Sequence, residues 1–140
     1  MDIEKKNIKL LIGKESTIFE DLVLYEEAPD DEDVVLIELN IDTQKISIKG
    51  ENFFSALQEL RGELEKKDIQ IVCNGAAKNV YPSPMQMSMG SGRKAYRLFI
   101  GQQASNSDVV DIFDYEEGLD FVKIKEQSKY YAEWLKSVMG

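Results

Sequence analysis

Histidine is absent from the 140 residues, and cysteine occurs once, at Cys73. The first absence removes the commonest general base at neutral pH and the commonest metal ligand together. The second excludes an internal disulfide and fits a reducing compartment, so a cytoplasmic location is the expectation. No apolar run approaches the ~20 residues of a membrane span. The opening Met1-Asp2-Ile3-Glu4-Lys5-Lys6 lacks the apolar stretch and small-residue cleavage site of a secretion signal. Acids are missing altogether from 69–107, where four bases stand: Lys78, Arg93, Lys94 and Arg97.

What is present suits a folded chain. A hydrophobic share of 43% beside 31% charged residues belongs to a globular protein rather than a disordered one. The length fits a single domain, 1–140, which can bury about two thirds of its unfolded surface without a disulfide or metal. The charge of −9 is uneven: residues 1–68 carry 18 acids against 9 bases, and 69–140 carry 8 of each. An acidic half argues against nucleic acid as the main partner, because phosphates repel it.

Periodicity gives the elements. Ile8–Ile12 and Thr17–Tyr25 read as strands, the second apolar on both parities and so placed inside a sheet. Glu26-Glu27-Ala28-Pro29-Asp30-Asp31-Glu32-Asp33 sets six acids and a proline in eight residues, an exposed loop. Val34–Ile41 and Lys45–Lys49 form the clearest hairpin, turning at Asp42-Thr43-Gln44. Asn52 is a plausible N-cap for a helix over 52–67. Its apolar stripe is Phe53, Leu57, Leu60 and Leu64, with Gln58, Glu59, Arg61, Glu63 and Glu65 mostly off it. Ile69–Asn74, Lys94–Ile100 and Val109–Phe113 read as strands. A closing helix over 123–139 places Ile124, Tyr131, Leu135 and Val138 on its stripe, with Gln127 and Trp134 at the edge. The order implies an α+β fold: a largely antiparallel sheet of about six to seven strands with the two helices, 52–67 and 123–139, packed on one face.

Between them, 75–92 reads as one long irregular connection, a length usually tied to function or disorder. Alternation would put Met85, Met87 and Met89 on one side of an extended backbone. Two readings stand: an Ω-like loop whose methionines fill the floor of the sheet, or a binding loop using Asn74, Asn79, Tyr81, Met87, Arg93, Lys94 and Tyr96.

Other candidates are weaker. Gly90-Ser91-Gly92-Arg93-Lys94 lacks the GK[ST] ending of a phosphate loop and runs into a strand, leaving at most a loose anion site at Arg93 and Lys94. Asp108, Asp111 and Asp114 alternate in direction along a strand and so do not converge as metal ligands. The acidic loop lacks the glycine and closing glutamate of a calcium loop. Glu26, Glu27, Asp30, Asp31, Glu32 and Asp33 read either as a solvated loop or as a lure steering a basic partner. Cys73 has no histidine to activate it. Neither catalytic residues, cofactor nor metal are expected.

The string Cys73-Asn74-Gly75-Ala76, Asn79-Val80-Tyr81-Pro82-Ser83, Met87, Met89-Gly90, Gly92 and Lys94-Ala95-Tyr96 resembles small bacterial proteins of the immunity type, found near polymorphic toxins. The likeness continues through Val110-Asp111-Ile112-Phe113 to Gln127, Tyr131 and Glu133-Trp134, about half of the chain, with Pro84 standing where glycine is expected. It implies a non-catalytic inhibitor that binds a cognate toxin, many of which are basic nucleases. Two other readings remain: a small-ligand-binding domain or enzyme built on 74–97, and a structural or adaptor domain that self-associates through a sheet edge.

Overall fold

Alternating β-branched and aliphatic residues make long strands at the start of the chain, and each folds back on the one before. In the computed structural model, which describes residues 3–139, β1 (Ile3–Ile12), β2 (Ser16–Tyr25), β3 (Val35–Ile41) and β4 (Gln44–Gly50) form an antiparallel meander. The β3–β4 turn is tight, with Asp42 and Thr43 both at positive φ (49° and 63°), the twist that matches a right-handed hairpin. The reading of the first residues rests in part on Met1 and Asp2, which lie outside the described residues.

α1 (Phe53–Glu65) begins where Asn52 accepts a hydrogen bond from the Ser55 amide at 2.8 Å, so the cap and the stripe are as the sequence indicates. A 13-residue helix is about 20 Å long. Five strands span about 19 Å, so α1 can carry the chain from one edge of the sheet to the other. β5 (Ile69–Val72) then pairs with β1, and the sheet order is β4-β3-β2-β1-β5. Leu57, Leu60 and Leu64 are fully buried over Leu10, Leu22, Ile37 and Leu39. Completely burying such side chains stabilises by about 1.5–3 kcal/mol each.

Two expectations about the second half are corrected. The sheet is not single: β6 (Val80–Tyr81), β7 (Lys94–Arg97) and β8 (Val109–Asp111) make a separate antiparallel sheet in the order β6-β7-β8, giving eight strands among the described residues. Strands of two to four residues are too short to show alternation in sequence. Nor is 75–92 irregular throughout. It holds a 3₁₀ turn (Asn74–Ala76), β6 and a third helix, α2 (Pro84–Met89). Ser83 and Gln86 close a reciprocal capping box at its start, and Pro84 takes a first-turn position, where a fixed φ and a missing N–H are no handicap. Helical pitch, not alternation, therefore places the methionines. Met85 and Met89 face solvent at 71% and 82% exposure, and only Met87 packs on the core.

α3 (Ile124–Met139) closes the second unit rather than the first sheet. Its buried residues are Gln127 and Trp134, so the stripe runs through the two residues expected at its edge. The second unit thereby covers a further side of α1. Phe53 meets Phe113 edge-on at 5.8 Å and Phe54 meets Tyr81 at 4.9 Å. Gly75 lies so close that a Cβ there would sit 2.5 Å from Leu57. Arg61, expected on the open side of the helix, is 1% exposed for this reason. No helix of the described residues is long and apolar enough to cross a membrane.

Candidate functional site

The acidic loop leaves β2 at Tyr25 and returns at β3, and it is a folded turn. Ala28 is buried, its amide donates to the Val34 carbonyl at 2.9 Å, and its carbonyl accepts from the Asp31 amide at 3.1 Å. The Asp31 side chain takes the Asp33 amide at 3.0 Å. One small apolar residue among the acids is thus enough to anchor the turn and turn its carboxylates outward. Glu26, Glu27, Asp30, Asp31, Glu32 and Asp33 are all exposed. Of these six only Asp30 has an ion-pair partner among the described residues, Lys49 at 2.6 Å, and that hydrogen bond holds its carboxyl below the usual range. Five unpaired carboxylates on a short anchored turn make a fixed negative potential rather than a fluctuating one.

The seven residues singled out in 74–97 do not converge. Asn74 is fully buried and donates to the Asp111 carbonyl at 3.0 Å, while its Oδ1 has no partner. Asn79 donates to the Leu98 carbonyl at 3.1 Å. Both tie loops to loops. Arg93 lies over the rings of both Phe53 and Phe113, with its fork already taken: Nε–H donates to Asp111 at 3.0 Å and the terminal nitrogens to Glu4 at 3.2 and 3.1 Å. Burial opposes its charge, but the two carboxylates more than offset that and raise its pKa. Such an arginine is not free for an outside anion, and Lys94 is exposed at 3.9 Å from Asp111. The aspartates go to three different bases: Asp108 to Arg97 at 3.2 Å, Asp111 to Arg93, and Asp114 to Lys6 at 2.7 Å. Cys73 is buried, which pushes its thiol up to about 12.

Tyr81 and Tyr96 do meet, in a groove of about 210 Å³. Tyr81 stacks on Tyr131 of α3 at 3.9 Å, and Tyr131 on Trp134 at 6.0 Å. Pro82, Leu98 and Leu135 complete an apolar lining. Trp134 donates to the Gln102 carbonyl at 2.9 Å and Tyr130 to that of Leu98 at 3.1 Å, so α3 and the 98–102 turn hold the groove's wall.

The residue the sequence hides best is Arg61. It donates to Gln127 at 2.6 Å, to the Val122 carbonyl at 2.6 Å and to Gln58 at 2.7 Å, and no carboxylate of the described residues pairs with it. Gln127 in turn donates to the carbonyls of Gly75, Ala77 and Val80 at 2.8–3.0 Å. A glutamine on the apolar side of a predicted helix is the one signal that could have marked this network. Set against models of protein families and against curated proteins, the chain finds no significant match.

Proposed function

We propose that this chain is a non-catalytic binding protein of the immunity type, which holds a basic toxin against the turn 26–33. The observation that supports the reading is the anchoring of that turn by Ala28, which leaves five carboxylates outward and unpaired. A fixed negative patch speeds encounter with a basic partner and sets its orientation more than it adds affinity. A specific interface buries about 1,600 Å² in total. The protein exposes 8098 Å², so a standard interface would take about a tenth of its surface. The test is co-purification with the product of the neighbouring gene, followed by the variant Glu27→Lys/Asp31→Lys/Glu32→Lys. The expected result is a complex whose association rate falls about tenfold or more in the variant and in high salt. Absence of a complex at micromolar concentration, or a rate indifferent to the substitutions, overturns it.

The groove at Tyr81 and Tyr96 favours a second reading, a site for a small flat apolar ligand. Its lining is almost wholly apolar and its volume of about 210 Å³ suits one ring system. Titration with toluene, followed through the indole N–H resonance of Trp134, checks it; a resonance unmoved at saturating toluene removes this reading.

A further inference from the structure

β1 is ten residues long and paired with β2 throughout, from Ile3↔Tyr25 to Ile12↔Ser16. On its other side only Lys9–Ile12 are paired, with Val72–Ile69 of β5. The chain then leaves the sheet at Cys73, where the Asn74 amide turns to the Asp114 carbonyl at 2.7 Å. Among the described residues, no backbone group of Ile3–Ile8 bonds to anything but β2. The lane that β5 would occupy beyond Val72 is an open groove of about 340 Å³, between Lys6–Lys9 and Phe113–Tyr115.

The chemistry of that lane is specific. Unmet N–H and C=O groups along an edge call for an extended polypeptide, the one kind of partner that satisfies them at strand spacing. Strand parity places Lys5, Asn7 and Lys9 on one face. Neither Lys5 nor Lys9 pairs with a carboxylate of the described residues; Lys9 lies over the Tyr115 ring at 5.9 Å, and Asn7 is engaged with Asp21 at 3.3 Å. In a chain of charge −9, this edge is a local reversal of sign. Lys6 and Glu4, of the opposite parity, are consumed by Asp114 and Arg93 and brace the floor.

We propose that the Ile3–Ile8 edge of β1 docks an extended segment of a partner polypeptide, added as a strand in line with β5. The place directly opposite Lys9 is held by Val72, so the segment carries two carboxylates two residues apart, one opposite Lys5 and one opposite Asn7, from where it reaches Lys9 diagonally. The acids are few because a polyacidic segment would be repelled by the rest of this surface. This inference is independent of the toxin reading, which uses the opposite sign of charge and a different loop.

The test is fluorescence anisotropy of the full chain with the labelled peptide Thr-Glu-Thr-Glu-Thr-Val, whose first residue falls opposite Ile8. Controls are the same peptide with Lys for Glu, and one N-methylated at alternate amides. The acidic peptide should bind saturably, the Lys peptide about tenfold or more weaker, since each cross-strand charge pair turns from attractive to repulsive, and the N-methylated one not at all. Lys5→Glu/Lys9→Glu, at solvent-facing positions with circular dichroism confirming the fold, should exchange the preference for acidic and basic peptides. No binding at millimolar peptide means that the lysines only guard the edge against pairing, and it overturns the proposal. Equal binding of all three peptides does the same. So does a dimer in sedimentation equilibrium that the double variant dissolves, since a second copy would then be the occupant.

Discussion

Arg61 and Gln127 meet at 2.6 Å in the interior, 66 residues apart in sequence, one on the helix that spans the first sheet and the other on the helix that closes the second. Burial lowers the arginine's pKa, and its hydrogen bonds go to neutral oxygens, Gln127 Oε1 beside Gln58 Oε1 and the Val122 carbonyl. Gln127→Ala removes one acceptor from Arg61 and the donor shared by three buried carbonyls, and should cost about 1–3 kcal/mol, read from urea unfolding. Gln127→Glu is the sharper case. It offers the arginine a carboxylate but donates nothing to the carbonyls of Gly75, Ala77 and Val80. It too should destabilise, by at least 1 kcal/mol or so.

Gly92 and Gly62 should respond in opposite directions to alanine. At Gly92 φ is +70° and a Cβ would lie 2.6 Å from Asn52 Oδ1, the oxygen that caps α1. Gly92→Ala therefore strains the backbone and dislodges the cap, at roughly 1–3 kcal/mol. Gly62 sits inside α1 with nothing near its missing side chain, so Gly62→Ala should add about 0.5–1 kcal/mol. Thermal unfolding of the two variants checks the pair of signs.

The sequence announced the first half of the fold far better than the second. The hairpin at Asp42, the cap at Asn52 and the leucine stripe of α1 are local rules acting within a few residues, and each holds. Arg61 could not be placed because its burial depends on Val122 and Gln127, which reach it only through the tertiary fold. The methionines depart from their apparent alternation because Ser83, Pro84 and Gln86 start a helix too brief for its period to show. For the site residues, Tyr81 and Tyr96 share a groove only because Tyr131 arrives from α3. The acidic turn was legible as charge, but its rigidity hangs on one alanine.

The pairing of Glu4 with Arg93 gives stability a defined pH window. The hydrogen bond from Arg93, with smaller help from Lys6, lowers the Glu4 pKa from its ordinary 4.5, against partial desolvation. A lowered carboxyl pKa stabilises the fold above the unfolded value and ceases to do so as pH falls through the folded one. Glu4→Gln should cost about 0.5–1 kcal/mol at pH 7, the carboxylate being half exposed. The difference from the parent should fade below pH 4, as urea titrations at both pH values would show.

Cys73 should be inert in the folded chain. Its thiol is buried and pushed up to about 12, with nearby Arg61 only partly opposing the shift, and the thiolate is the reactive form. Labelling by a disulfide reagent at pH 7.5 should follow global unfolding, accelerating in urea in step with it. Rapid labelling without denaturant would mean that the 72–76 corner opens locally.

The lone tryptophan has a practical consequence. Trp134 stacks on Tyr131 and bonds to Gln102, all in the second unit, so its emission is blind to the five-stranded sheet, whereas the far-ultraviolet circular dichroism reports the helices and strands of both. One signal thus watches half of the molecule and the other the whole of it. Because α1 is the wall that both halves share and Arg61 the clasp between them, fluorescence and ellipticity should vanish together on denaturation. Loosening that clasp would let the emission fail first, leaving the meander standing alone.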